Sequence, residues 1–153
     1  MPVVPPPLYA LGAGVVQHFL APDRGAGRRS GALRKVAAAG VGAASVGLLA
    51  ATSARFRSNH TTFEPFDPSK ASTLVTDGPN AFTRNPMYVG MAGLLTAHAI
   101  ARGGLLTLVP VAGFVAVIDR VQIAAEEQAL TTLFGDEYAA YRARVPRWLG
   151  PPG

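Results

Sequence analysis

Two short stretches carry the residue types that could hold a charged small molecule. The first is Thr83-Arg84-Asn85-Pro86-Met87-Tyr88-Val89-Gly90. Pro86 suits the first turn of a helix, where its missing N–H costs nothing. Arg84 and Asn85 then stand at a helix mouth, with Tyr88 about one turn inside. A helix N-terminus attracts anions. Arg84 can pair bidentately with a carboxylate or phosphate, and Tyr88 adds a ring face and a hydroxyl. The second stretch, Asp119-Arg120-Val121-Gln122-Ile123-Ala124-Ala125-Glu126-Glu127, ends in two adjacent carboxylates. Together the stretches would suit a ligand with both a carboxylate and cationic groups. Each also has a plainer reading. Arg and Tyr favour membrane–water boundaries, and adjacent glutamates are often solvated helix charge.

The rest of the chain must bring these stretches together, and its composition says how. The chain has 153 residues, 49% hydrophobic and only 15% charged, with 17 Gly, 13 Pro and no Cys. Soluble domains carry about 25% charge, and disordered chains are poor in apolar residues. Without cysteine there is no disulfide, no thiolate metal site and no Cys nucleophile. His18 and His60 carry no ligand pattern, and His98 reads as a helix-packing residue, so no metal is expected. The net charge of +5 and pI near 10.2 fit an anionic lipid surface. Basic residues lie between long uncharged stretches rather than in a polar basic patch, so nucleic acid is not an expected partner.

Four stretches lack charge: 1–22, 36–54, 85–101 and 103–118. A helix needs about 20 apolar residues to cross a hydrocarbon core of about 30 Å. The pattern predicts an all-α integral membrane bundle of about four transmembrane helices with a C-terminal cytosolic extension. Residues 1–153 form one membrane domain, with a short helix at 8–21 and spans at 36–54 and 86–101. A further span at 104–134 continues into the cytosol, and a tail helix covers 136–145. Pro5-Pro6-Pro7 should delay the first helix to Leu8, leaving 14 residues that span, re-enter or lie buried. No basic region precedes that stretch, so a signal peptide is not expected. Gly40, Gly42, Ala43, Ala44 and Gly47 suit close helix approach in lipid.

With four spans, both termini share one side. That side holds Arg55, Arg57, Lys70, Arg84, Arg120, Arg142, Arg144 and Arg147, against Arg24, Arg28, Arg29, Arg34, Lys35 and Arg102 opposite. The excess favours a cytoplasmic C-terminus, in the cell inner membrane. The polar connection 56–84 contains three prolines and Asp77-Gly78; so long a loop is usually functional. Gly135 should end the long helix and Asp136 start another. The basic, aromatic tail Arg142-Ala143-Arg144-Val145-Pro146-Arg147-Trp148 reads as a lid or surface helix.

The Arg84–Gly90 element, followed by Glu126-Glu127-Gln128-Ala129-Leu130 and Phe134-Gly135-Asp136-Glu137-Tyr138-Ala139-Ala140-Tyr141, resembles the isoprenylcysteine carboxyl methyltransferase and phospholipid methyltransferase family. Thr61-Thr62-Phe63-Glu64-Pro65 and Leu74-Val75-Thr76-Asp77-Gly78-Pro79 look like its small bacterial members, and the likeness runs from about Asn59 to Trp148. Where relatives often carry an aromatic and then Arg, this chain has Asn80 and Ala81, and Asn85 stands where eukaryotic relatives have His.

The resemblance implies an integral membrane enzyme that uses S-adenosylmethionine, in a pocket built by the C-terminal helices and tail, with substrate arriving from the lipid side. By position it assigns Arg84, Asn85, Pro86, Tyr88, Glu126 and Glu127 to the cofactor. Arg142, Arg144 and Arg147 fall where the family's tail meets the acceptor, and Arg142 and Glu127 are the expected catalytic residues. The acceptor would be lipophilic or membrane-partitioned, reacting at a carboxylate, amine or thiol. Two rivals stay open: a small steroid-reductase-like membrane reductase using NADPH, and a non-catalytic membrane scaffold. A soluble-type nucleotide motif is absent, since none of the Gly-x-Gly pairs completes GxGxxG after a strand.

Overall fold

The computed structural model describes residues 4–21, 30–58 and 73–151. The sequon Asn59-His60-Thr61, the family-like stretch 61–65 and most of the basic loop before Lys35 lie outside the described residues. Among the described residues every regular element is helical. They are α1 (Pro6–Leu20), α2 (Ser30–Ser58), α3 (Pro86–Arg102), α4 (Val109–Val117) and α5 (Ala124–Arg144). Short 3-10 turns at Gly78–Ala81 and Leu105–Leu108 precede α3 and α4. A π-helical turn, Ile118–Ile123, joins α4 to α5 without a break.

Several boundaries differ from expectation for simple physical reasons. Helix α1 begins at Pro6, not Leu8, because prolines in a first turn give up no hydrogen bond. Helix α2 overruns the uncharged stretch at both ends, taking in Arg34 and Lys35 and then Arg55 and Arg57. Long cations can stay helical while their heads reach the interface. Gly135 adopts φ 47° and ψ −119°, a backbone open to glycine and strained for other residues. The kink there ends the long helix, and a second helix runs on to Arg144, as the sequence predicts. This bend packs Tyr138, Tyr141 and Val145 against Leu74, Leu130 and Phe134.

Helix α3 is the hub. Helix α2 lies antiparallel against it: Gly42 meets Ala97, Ser45 meets Gly93, and Leu49 meets Gly90. The approach is close enough that a Cβ at Gly90 would stand 2.7 Å from Leu49 Cγ. Helix α1 runs parallel to α3 on another side. Its Tyr9, Ala10 and Ala13 pack on a core of Tyr88, Leu95, Phe114, Ile118 and Ile123.

Two helical stretches, Gly31–Ser58 and Leu105–Arg144, are long and apolar enough to cross a membrane. Helices α1 and α3, with 15 and 17 residues, are shorter. Leu11, Val15, Phe19, Leu33, Val36, Val46 and Leu105 point outward and are exposed. An apolar exterior of this extent requires lipid or a partner to cover it.

Gln17 pins α1 to α3 at the far end from Arg84. It is fully buried. Its Nε2 donates to Leu95 O (3.0 Å) and Thr107 O (2.9 Å), and its Oε1 lies 2.8 Å from His98 Nδ1. Both amide hydrogens are used, so Oε1 is the acceptor and His98 carries its proton on Nδ1. Gln17→Leu removes all three contacts while keeping the volume. We expect a loss of about 1–3 kcal/mol, read as a lower unfolding temperature in detergent.

Candidate active site

The site forms where the start of α3, the start of α5 and the tail after α5 meet. The segment entering α3 is stitched to the tail through backbone groups. Arg84 N donates to Pro146 O (2.8 Å), while Thr83 Oγ1 (3.1 Å) and Asn85 Nδ2 (2.9 Å) both donate to Arg147 O. Asn85 N donates in turn to Thr83 Oγ1. Pro86 then opens α3 and is buried. Ahead of them, Tyr141 Oη donates to Asn80 O (2.7 Å), which ties the 3-10 turn to α5. Ala81 beside it is exposed.

Arg84 uses its planar fork in two directions. Nη2 donates to Glu127 Oε1 at 2.7 Å, while Nη1 donates to Val145 O at 2.8 Å and Arg142 O at 3.2 Å. Its side chain is 6% exposed and that of Glu127 10%, so this is a buried ion pair rather than surface decoration. Arg84 Nε is buried with no partner. Arg147 approaches Glu127 from the other side, with Nε at 3.0 Å from Oε1 and Nη2 at 2.6 Å from Oε2. Its Nη1 reaches Asp119 Oδ1 at 3.1 Å, and Trp148 Nε1 donates to the same oxygen at 2.8 Å. Hydrogen bonding to Glu127, and then to Asp119, holds the Arg147 guanidinium well above its ordinary pKa, against the opposing effect of burial.

A second pair lies one turn into α3. Tyr88 Oη donates to Glu126 Oε1 at 2.5 Å, and Gln122 Nε2 donates to the same oxygen at 2.8 Å. Tyr88 is fully buried, so its hydroxyl needs such a partner. The π turn contributes both Asp119 and Gln122 to the site, and such wide turns are frequent at functional sites.

The structure therefore brings Arg84, Asn85, Pro86, Tyr88, Glu126 and Glu127 into one cluster. Arg142 is different. Its carbonyl belongs to the cluster, but its guanidinium carbon lies 6.0 Å from the Tyr138 ring centroid, on an exposed side chain. Of the three tail arginines that the resemblance places together, Arg147 is the one whose side chain reaches Glu127. Asp119, Gln122, Thr83 and Trp148 were not singled out from sequence. Helical spacing could have found two of them, because Gln122 is four residues before Glu126 and Asp119 eight before Glu127, on the same face.

The sequence model of the family described as "Phospholipid methyltransferase" matches residues 34–137, well over half of the chain. The chain belongs to the phospholipid methyltransferase family. A similar protein is an uncharacterized protein of Haemophilus influenzae (strain ATCC 51907 / DSM 11121 / KW20 / Rd), 41% identical over 63 residues. Those residues are 41% of this chain and all of that one. No solved structure matches the chain. The part shared with the phospholipid methyltransferase family contains Arg84, Tyr88, Asp119, Glu126 and Glu127. Arg147 and Trp148 lie beyond it, and their hydrogen bonds to Glu127 and Asp119 join them to the cluster.

Proposed function

We propose that this phospholipid methyltransferase family member transfers the methyl group of S-adenosylmethionine to a lipophilic, membrane-partitioned acceptor bearing a carboxylate, amine or thiol. The observation that carries the reading is the buried Arg84–Glu127 pair beside Tyr88–Glu126, roofed by the tail. The donor set fits the cofactor. A guanidinium with a buried, unpartnered Nε can take its carboxylate, and two acidic side chains can take its ammonium or ribose hydroxyls. When bound, the cofactor would supply a methyl group activated on a sulfonium sulfur, which is left as a neutral thioether.

The protein's part is positioning and exclusion of water. Arg84 orients the carboxylate end, Glu126 and Glu127 orient the cationic end, and Tyr88 fixes Glu126. Val145 to Trp148 close the roof. Arg84 and Glu127 hold each other in the structure, so binding requires at least one of their contacts to be shared or exchanged. An anionic acceptor needs no general base; a thiol or ammonium acceptor must first lose a proton. In this reading α1, α2, α3 and α4 all cross the bilayer, and the Arg84 mouth faces the cytoplasm of the inner membrane. The exposed apolar faces of α1 and α2 support the crossings.

The test is calorimetric titration of detergent-purified protein with S-adenosylmethionine and, separately, NADPH. Binding of the first, competed by S-adenosylhomocysteine, supports the proposal. Heat from NADPH alone would point to a membrane reductase, and no heat from either to a scaffold; both outcomes overturn it.

A further inference from the structure

At the opposite end of α3 lies an arrangement that the methyl-transfer site does not use. An open groove of about 750 Å³ runs along the outside of α3, flanked by α1 and α2. Its walls are apolar, including Leu11 and Val15 from α1, Leu49 from α2, and Leu94 and Leu95 from α3. His18 and His98 mark its far end. Arg102 stands one helical turn beyond His98 on α3 and donates from Nη2 to His18 O at 3.2 Å, which places it over that end. Arg34 comes from α2 to the same place: a Cβ on Gly103 would lie 2.5 Å from Arg34 Nη1.

Neither arginine has a carboxylate partner among the described residues. Both have a buried Nε without a hydrogen-bond partner. The described acidic side chains with ion pairs (Asp77, Asp119 and Glu127) all belong to the Arg84 end. Two guanidiniums thus converge beside the end of an apolar slot with no countercharge among the described residues. From Pro7 to His18 the slot follows α1 for about 16 Å, enough for a long stretch of one extended acyl chain.

We propose that this is a binding site for an anionic phospholipid, with its phosphate on Arg34 and Arg102 and one acyl chain in the α1–α3 groove. Charge complementarity selects the occupant. The described ion-paired acids of a second copy lie at its own Arg84 end, and a zwitterionic lipid would bring its own cation with the phosphate. The site rests on the reading that these helices lie in a bilayer, but not on the identity of the methyl donor.

The test is native mass spectrometry of the full chain, released from detergent after exchange with dioleoyl phosphatidylglycerol or dioleoyl phosphatidylcholine. We expect at least a tenfold preference for phosphatidylglycerol, lost in the double variant Arg34→Gln/Arg102→Gln and kept in Arg34→Lys/Arg102→Lys. Gly14→Phe, which fills the groove from α1, should weaken retention while leaving the arginines in place. Should a variant fail to fold, wild-type protein still decides through competition. Glycerol 3-phosphate displacing the lipid as well as a full phospholipid does would overturn the chain slot. Equal retention of the two phospholipids, or no loss in a folded Gln variant, would overturn the headgroup site. Calorimetry with S-adenosylmethionine on the same samples reports separately on the methyl-transfer reading.

Discussion

Glu127→Ala is expected to lower the rate of methyl transfer at least about 100-fold, in the range found when a preorganised charged or polar group is removed from an active site. Glu127 accepts three N–H groups from two arginines. Its removal leaves Arg84 buried without a counterion and frees Arg147 from the position that closes the site. Breaking one side of such a pair costs about 3–5 kcal/mol because the remaining charge stays desolvated. Glu127→Gln keeps one acceptor oxygen and should fall between wild type and Ala. The measurements are incorporation of isotopically labelled methyl into lipid extract and thermal unfolding in detergent. Adding Arg147→Ala to Glu127→Ala should cost less stability than the sum of the single changes, because the two share a partner. Strict additivity would show that the contact contributes nothing.

Truncation after Arg144 is expected to abolish methyl transfer while leaving the helices assembled. It removes the carbonyls of Val145, Pro146 and Arg147, which receive N–H and O–H donors from Thr83, Arg84 and Asn85. It also removes Arg147 and Trp148 from Asp119. The α2–α3 and α1–α3 contacts do not involve these residues. Circular dichroism should therefore retain most of its helical signal as activity and S-adenosylmethionine binding disappear. Full activity in the truncated chain would show that the tail is only a surface anchor.

Much of the helical fold was legible because missing charge is a strong signal: α2 and α3 fall on two uncharged stretches, and Pro86 marks the start of α3 within one residue. Arg84 and the glutamates could be paired from sequence because a hairpin between them returns the chain to the same side. The tail contacts were not legible in the same way. Arg142, Arg144 and Arg147 look alike in sequence, and only the extended backbone at Val145 and the bends after it bring Arg147 inward while Arg142 stays on the last helical turn. The Arg34–Arg102 rim was equally hidden, since charge counting assigns residues to a side without saying which of them meet.

The wide turn at Ile118–Ile123 has a consequence for how the two ends of the long helix are phased. Each residue of an α-helix advances the side chains by roughly 100°. A loop of backbone hydrogen bonds spanning five residues instead of four works as a fixed angular offset between α4, whose Phe114 faces the bundle, and α5, whose carboxylates face α3. Deleting a single position there would keep the hydropathy profile almost unaltered. Yet it would swing Glu126 and Glu127 around the axis, so the alignment of the two acids with the guanidinium depends on one residue's worth of rotation.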